Sequence, residues 1–152
     1  MKSVDIIAVG RLKKGALFDL FDHYQKQLKW SLRLHEVESK QKNATAVQQD
    51  EHEKLFTLID SQAFVVVMDE RGKSLKSLDF AARIKDLQNN GINHIQFVMG
   101  GADGLTDAMR QRADLLLSFG AQTWPHMLAR IMLIEQIYRA QQILAGHPYH
   151  RE

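Results

Sequence analysis

The spacing of apolar residues along this chain switches repeatedly between two periods. "SVDIIAVG" (3–10) is a short apolar run that reads as a strand. "KGALFDLFDHYQKQLKW" (14–30) places Leu17, Leu20, Phe21, Tyr24 and Leu28 on one side of a helix. "SLRLHEVE" (31–38) alternates apolar with polar residues, which predicts a half-exposed or edge strand. After a polar loop comes a helix over 45–60, with Thr45 as cap and Leu55, Phe56 and Ile59 facing inward. "AFVVVMD" (63–69) is β-branched and apolar on both faces, as a central parallel strand should be. A helix over 77–91 closed by Gly91, a buried strand over 94–101, a short helix from Leu105 to Arg112 and a fifth strand over 113–120 follow. A long helix from Met127 to Leu144 ends the series.

Strands that alternate with helices predict an α/β fold, a mainly parallel sheet with helices on both faces. A length of 152 residues fits one domain, 1–152, able to bury a core unaided. Ligands of such sheets gather at the carboxyl ends of the strands. Three loops are therefore candidates: after Met68, after Met99 and after Phe119. Glycine occurs in two of them, and their convergence at one sheet edge points to a pocket.

Known phosphate motifs do not fit these loops. In "GGADGL" the glycines Gly100, Gly101 and Gly104 lack the G-x-G-x-x-G spacing. "RGKS" (71–74) ends like a P-loop, but position 67, where its first glycine belongs, is Val67. A bare backbone that suits a flat or uncharged group such as adenine or ribose remains, with Met68 and Phe119 to sandwich a ring.

Composition narrows the chemistry further. The chain has no cysteine, so disulfides and thiolate catalysis are out. The net charge of +2 is too small for a nucleic-acid coating protein, so any RNA-binding surface must be local or shared between chains. No segment is long and apolar enough for a membrane span, and the N-terminus does not read as a signal peptide; the expected location is cytoplasmic.

The last third holds most of the remaining chemistry. The long helix is apolar nearly all round: Met127, Ile131, Ile134 and Tyr138 on one side, Leu128 and Met132 on a second, Leu133, Ile137, Ala140 and Leu144 on a third. That surplus predicts a homodimer packed through this helix. Glu135 and Arg139, four apart, form a favourably oriented ion pair among apolar neighbours. The terminal "HPYHRE" gathers His147, Tyr149, His150 and Arg151, residue types that stack on bases and touch phosphates. No cysteine or acidic cluster completes a metal site around the histidines, so no metal is expected.

"FVMGGADGL", "LSFGAQTWPHMLAR", "LIEQIYRA", "HPYHRE" and the early "IIAVGRLKKG" together resemble the small SPOUT methyltransferases, and the resemblance spans the whole chain. That family methylates N3 of a pseudouridine in helix 69 of 23S ribosomal RNA. The resemblance implies a C-terminal deep trefoil knot, an exception to the rule against knots. It also implies a homodimer, action on 23S rRNA within the assembled 70S ribosome, and S-adenosyl-L-methionine as cofactor. By position the cofactor contacts fall on Met68, Gly100, Phe119, Gly120, Ala121, Gln122, Thr123 and Trp124. Trp124 stands where relatives carry phenylalanine or a smaller apolar residue.

The reaction must release the N3 proton or stabilise the resulting anion. Glu135 and Arg139 are the expected catalytic pair, Arg139 holding the anion and Glu135 either fixing Arg139 or accepting the proton. His126 and His150 are rival bases, and Tyr149, His150 and Arg151 the expected RNA-positioning groups. Two other readings stay open: a related enzyme acting on a tRNA ribose, and a non-catalytic ribosome-binding module.

Overall fold

A computed structural model describes residues 1–151 of the chain. It contains the strands β1 (Ser3–Val9), β2 (Ser31–Val37), β3 (Phe64–Ser74), β4 (His94–Met99) and β5 (Leu115–Ser118). Between and after them run α1 (Ala16–Gln27), α2 (Ala44–Thr57), α3 (Ser77–Asn89), α4 (Asp107–Arg112) and α5 (His126–Leu144). The strands form one sheet in the order β2-β1-β4-β3-β5, and every pairing is parallel. All five carboxyl ends consequently lie along one edge.

Strand residues alternate between two cores. Val4, Ile6 and Ala8 of β1 face one cluster with Phe21 of α1, Phe80 of α3 and Leu133 of α5. Ile7 and Val9 face the other, with Leu55 of α2 and Met109 of α4. The chain steps one way across the sheet when its connection passes through α1 or α3, and the other way through α2 or α4. All four crossovers therefore share one hand, as parallel units should. From β5, at the far edge, the chain returns as α5 against α1 and α3. Helices on both faces of a parallel sheet are the predicted class, and this return path is consistent with the implied trefoil.

Local details depart from the sequence reading where side chains compete with periodicity. The cap of α2 is Asn43, not Thr45; its Oδ1 accepts a hydrogen bond from Ala46 N at 2.8 Å. Phe56 is 45% exposed, because its neighbour Leu55 takes the inward position, and Leu20 of α1 also faces solvent. The short fourth helix begins at Asp107, behind a Thr106 cap. β2 is an edge strand, as its alternation predicts.

The largest departure is at β3, which does not stop after Met68. It bulges, so that Met68 and Lys73 both lie opposite Leu117, and pairing resumes to Ser74. "RGKS" belongs to this bulge. A Cβ on Gly72 would sit 2.6 Å from the backbone of Leu116 and Leu117. Gly72 is thus explained by strand-to-strand approach, not by phosphate.

Arg130 of α5 is the largest fully buried side chain, 1% exposed. Its Nη2 donates to the carbonyls of Val9 and Gly10, each at 3.0 Å, and Nη1 to Glu36 Oε2 at 2.6 Å. The same Glu36 oxygen accepts from Leu12 N at 2.6 Å. Burial lowers the arginine's pKa and Glu36 opposes that shift, so the cation persists by virtue of its partners. Arg130→Ala would strand two carbonyls and a carboxylate. Chemical denaturation should show a loss of about 3–5 kcal/mol; a loss below about 1 kcal/mol would mean that water replaces the fork.

Candidate functional site

Three segments at the carboxyl edge enclose a cavity of about 470 Å³. The β3 bulge supplies Met68 and Asp69, the loop after β4 supplies Gly100, Gly101 and Leu105, and the loop after β5 supplies Phe119 to Trp124 except Ala121. Seven of the eight expected cofactor residues therefore line one space: Met68, Gly100, Phe119, Gly120, Gln122, Thr123 and Trp124. Ala121 is exposed and does not line it. His126, at the start of α5, lines it as well.

Polar cross-links fix these walls. Arg110 donates from Nη1 to Leu105 O at 2.9 Å and to Asp69 Oδ2 at 3.3 Å, tying the glycine loop to the bulge. It also binds Asp107, and that bond raises its pKa. Gln48 of α2 donates from Nε2 to Asp103 O at 3.1 Å. Gly120 N donates to Ser118 Oγ at 3.0 Å, and Trp124 Nε1 to Phe119 O at 3.3 Å, so the third loop closes on itself.

The glycine loop lies against its supports with no room to spare. A Cβ on Gly100 would meet Leu105 Cγ at 2.8 Å, and one on Gly101 would meet Val9 Cγ1 at 2.7 Å. Gly101 also lies beside Glu51 of α2, which is only 7% exposed and whose Oε1 is buried with no hydrogen-bond partner. Burial, then repulsion from Asp103 and Asp50, raises the Glu51 pKa. Sequence reading missed Arg130, Glu51 and Arg110. A charged residue on an inward position of an otherwise apolar helix could have flagged the first.

Glu135 and Arg139 sit elsewhere. Glu135 lines a second cavity, about 630 Å³, between α3 and α5. The two cavities share Leu117, Ser118, Phe119, Gly120 and Trp124 as a common wall. The described tail is not frayed but folds back onto α5. Arg139 donates from Nε and Nη2 to Glu135 Oε1, at 2.9 and 2.6 Å, and from Nη1 to His150 Nδ1 at 3.0 Å. Tyr149 OH donates to the same Glu135 oxygen at 3.0 Å, and the Arg139 guanidinium lies 4.8 Å from the Tyr149 ring centre. Gln136 Nε2 donates to Glu135 Oε2 at 2.8 Å.

These contacts constrain the chemistry of the cluster. The hydrogen bond to Glu135 raises the Arg139 pKa, and burial followed by that carboxylate raises Tyr149. Arginine has no lone pair to offer, so His150 Nδ1 is the unprotonated nitrogen and Nε2 carries the hydrogen. That Nε2 is buried and unpartnered. Arg151 is exposed. Among the described residues, no group of three or more His, Asp and Glu side chains could hold a metal ion.

A family profile described as "Predicted SPOUT methyltransferase" matches residues 1–150. The chain belongs to the SPOUT methyltransferase family. It is 50% identical over 147 residues to the "Ribosomal RNA large subunit methyltransferase H" of Rhodospirillum centenum, covering 96% of this chain and 97% of that protein. The protein of the same description from Paramagnetospirillum magneticum is 48% identical over the same shares. Among solved structures, a probable methylase family protein from Haemophilus influenzae superposes with a TM-score of 0.58 over 98% of this chain and 70% of that one, at 13% identity. That likeness places this SPOUT chain's fold beside the methylase's.

The raised Glu51 pKa carries a signed prediction. The folded state holds this proton more tightly than the unfolded chain does. Its contribution to stability is greatest in acid and falls as pH rises from the ordinary glutamate value, about 4.3, through the raised folded value. Glu51→Gln should remove that decline and melt about 2–4 °C above the parent at alkaline pH. Calorimetric melts across pH test this, and parallel curves for the two proteins would contradict it.

Proposed function

We propose that this SPOUT methyltransferase transfers a methyl group from S-adenosylmethionine to N3 of a pseudouridine in 23S ribosomal RNA, acting as a homodimer on the assembled ribosome in the cytoplasm. The observation that carries the reading is a cavity at the carboxyl edge that gathers Met68, Gly100 and most of the Phe119–Trp124 loop. The names of the relatives support ribosomal RNA as the substrate.

The residues present fit such a cofactor. The volume lies within the range of about 300–1,000 Å³ usual for small-molecule sites. Its lining combines apolar Met68, Met99, Leu117 and Phe119 with polar Asp69, Gln122 and Thr123, the two kinds of group that a ligand carrying both a flat base and charged groups needs. When bound, S-adenosylmethionine supplies an electrophilic methyl carried on a positive sulfur.

The chain's own groups would manage the nucleophile. Arg139 offers a fixed cation to the carbonyl oxygen beside N3, where negative charge collects. Glu135 already accepts four hydrogen bonds, two of them from Arg139, so its role is to hold Arg139 in place. His126, exposed on the cavity wall and without a described hydrogen-bond partner, takes the N3 proton. Tyr149, His150 and Arg151 position the RNA.

Dimerisation unites these parts. The groove between α3 and α5 exposes Trp124 and Leu128, with half-buried Met132, beside the Glu135 cluster, and Leu128 is 40% exposed. A second copy seated there covers the apolar stripe and brings its cluster to the shared Phe119–Trp124 wall. Leu128→Glu with Met132→Glu should halve the mass found by light scattering and abolish methylation; a fully active monomer would refute the shared site.

Arg139 is tested by single-turnover methylation of 70S ribosomes at saturating cofactor. Arg139→Ala should slow the reaction about 10²–10³-fold, with cofactor affinity by calorimetry unchanged. A near-normal rate would remove Arg139 from the reaction. Free 50S subunits and tRNA serve as comparison substrates, and preferential methylation of tRNA would overturn the ribosomal assignment.

A further inference from the structure

The chain as a whole carries little net charge, yet five exposed cations fall on two adjacent loops of the carboxyl edge. Arg11, Lys13 and Lys14 lie between β1 and α1, and Lys40 and Lys42 between β2 and α2. β1 and β2 pair in parallel up to Val9 opposite Val37, so the loops leave the sheet side by side. None of the five forms a salt bridge with a described carboxylate. Within the first loop there is no acid at all, and in the second only Glu38.

The first loop is built, not merely charged. Leu12 is buried between its exposed cationic neighbours, and its N–H is held by Glu36. Beneath it, Arg130 grips the carbonyls of Val9 and Gly10. A buried cation thus fixes the backbone from below while three others face solvent. A ligand that meets them there encounters a backbone already in place, and little ordering cost remains.

Its position is equally specific. Val9 abuts Gly101, and Gly10 lies beside His126, with a hypothetical Cβ 3.7 Å from His126 Nε2. Both neighbours line the cavity. The first cationic loop therefore begins at the cavity wall, and the second lies beyond it on the β2 side, opposite the β5 side. Ordinary protein surfaces intersperse charges of both signs; an unpaired run of one sign beside a cavity calls for an anionic partner.

We infer that the paired loops 10–15 and 38–43 form a docking site for the phosphodiester backbone of the RNA substrate, gripping the strand that flanks the target base. This rests on the RNA reading proposed above. It also resolves the low net charge: the positive surface is concentrated where the substrate must enter. Phosphate contacts of this kind position the RNA and carry no base specificity.

The triple variant Arg11→Gln, Lys13→Gln, Lys14→Gln tests the site against a control, Lys2→Gln, Lys29→Gln, Lys85→Gln, which removes the same charge from positions outside both loops. Ribosome binding and methylation are followed across a salt series, with cofactor affinity measured by calorimetry. The triple variant should bind ribosomes about 10–100-fold more weakly at low salt, and the slope of log affinity against log salt should flatten by about 2–3. Cofactor affinity should stay within twofold of the parent, and the control should keep the parent's slope. Equal slopes for triple variant and parent, with both folded and binding cofactor, would overturn the site. Should the triple variant lose its cooperative melt, Arg11→Gln and Lys14→Gln are read singly, each expected to flatten the slope by about 0.7–0.9. A parent protein that methylates no ribosome would instead defeat the underlying RNA reading, an outcome visible before any variant is made.

Discussion

One buried guanidinium organises the working edge of this molecule. Arg130 reaches from the second turn of α5 to the end of β1 and to Glu36 of β2, satisfying the carbonyls of Val9 and Gly10 and pairing with the Glu36 carboxylate. A desolvated cation is costly unless its partners are well placed, so the contact has one favourable geometry. That geometry sets where α5 begins. It thereby sets His126 beside Gly10 and brings the Phe119–Trp124 loop back across the strand ends. The cavity is a consequence of how the last helix is anchored.

Parallel pairing supplies the other half of the explanation. All five strands end along the same edge, so segments far apart in sequence become neighbours without long excursions. Each wall then meets a different local requirement. β3 bulges through Gly72 to place Met68 and Asp69; Gly100 and Gly101 lie flat on Leu105 and Val9; Ser118 closes the final loop through Gly120. Glycine serves close backbone approach at two of these walls, which explains why the loops look like phosphate-binding motifs without having their spacing.

Much of this was legible in the amino-acid order. Periodicity gave the strands, the helices and the parallel class, and the alternation in "SLRLHEVE" marked β2 as an edge. Seven of eight expected cofactor positions meet in one cavity because strand ends converge whatever the exact loop path. What periodicity could not show is side-chain competition: Asn43 in place of Thr45 as a cap, Phe56 turned outward, β3 continuing beyond Met68. The i,i+4 spacing did show the Glu135–Arg139 pair, but a linear reading could not see that Tyr149 and His150 join it on the far side of a shared wall. Such contacts depend on the folded path of the tail, which no local pattern encodes.

The central claim is that the three carboxyl-edge segments together hold the methyl donor. Backbone amide NMR during titration with S-adenosylmethionine addresses it most directly. The account predicts saturable shifts concentrated at Gly100, Gly101, Gly104, Gly120 and Thr123, while Lys2, Gly91 and His94 at the opposite edge stay still. Shifts confined to the groove between α3 and α5, or spread over the opposite edge with the glycine loop silent, would contradict it.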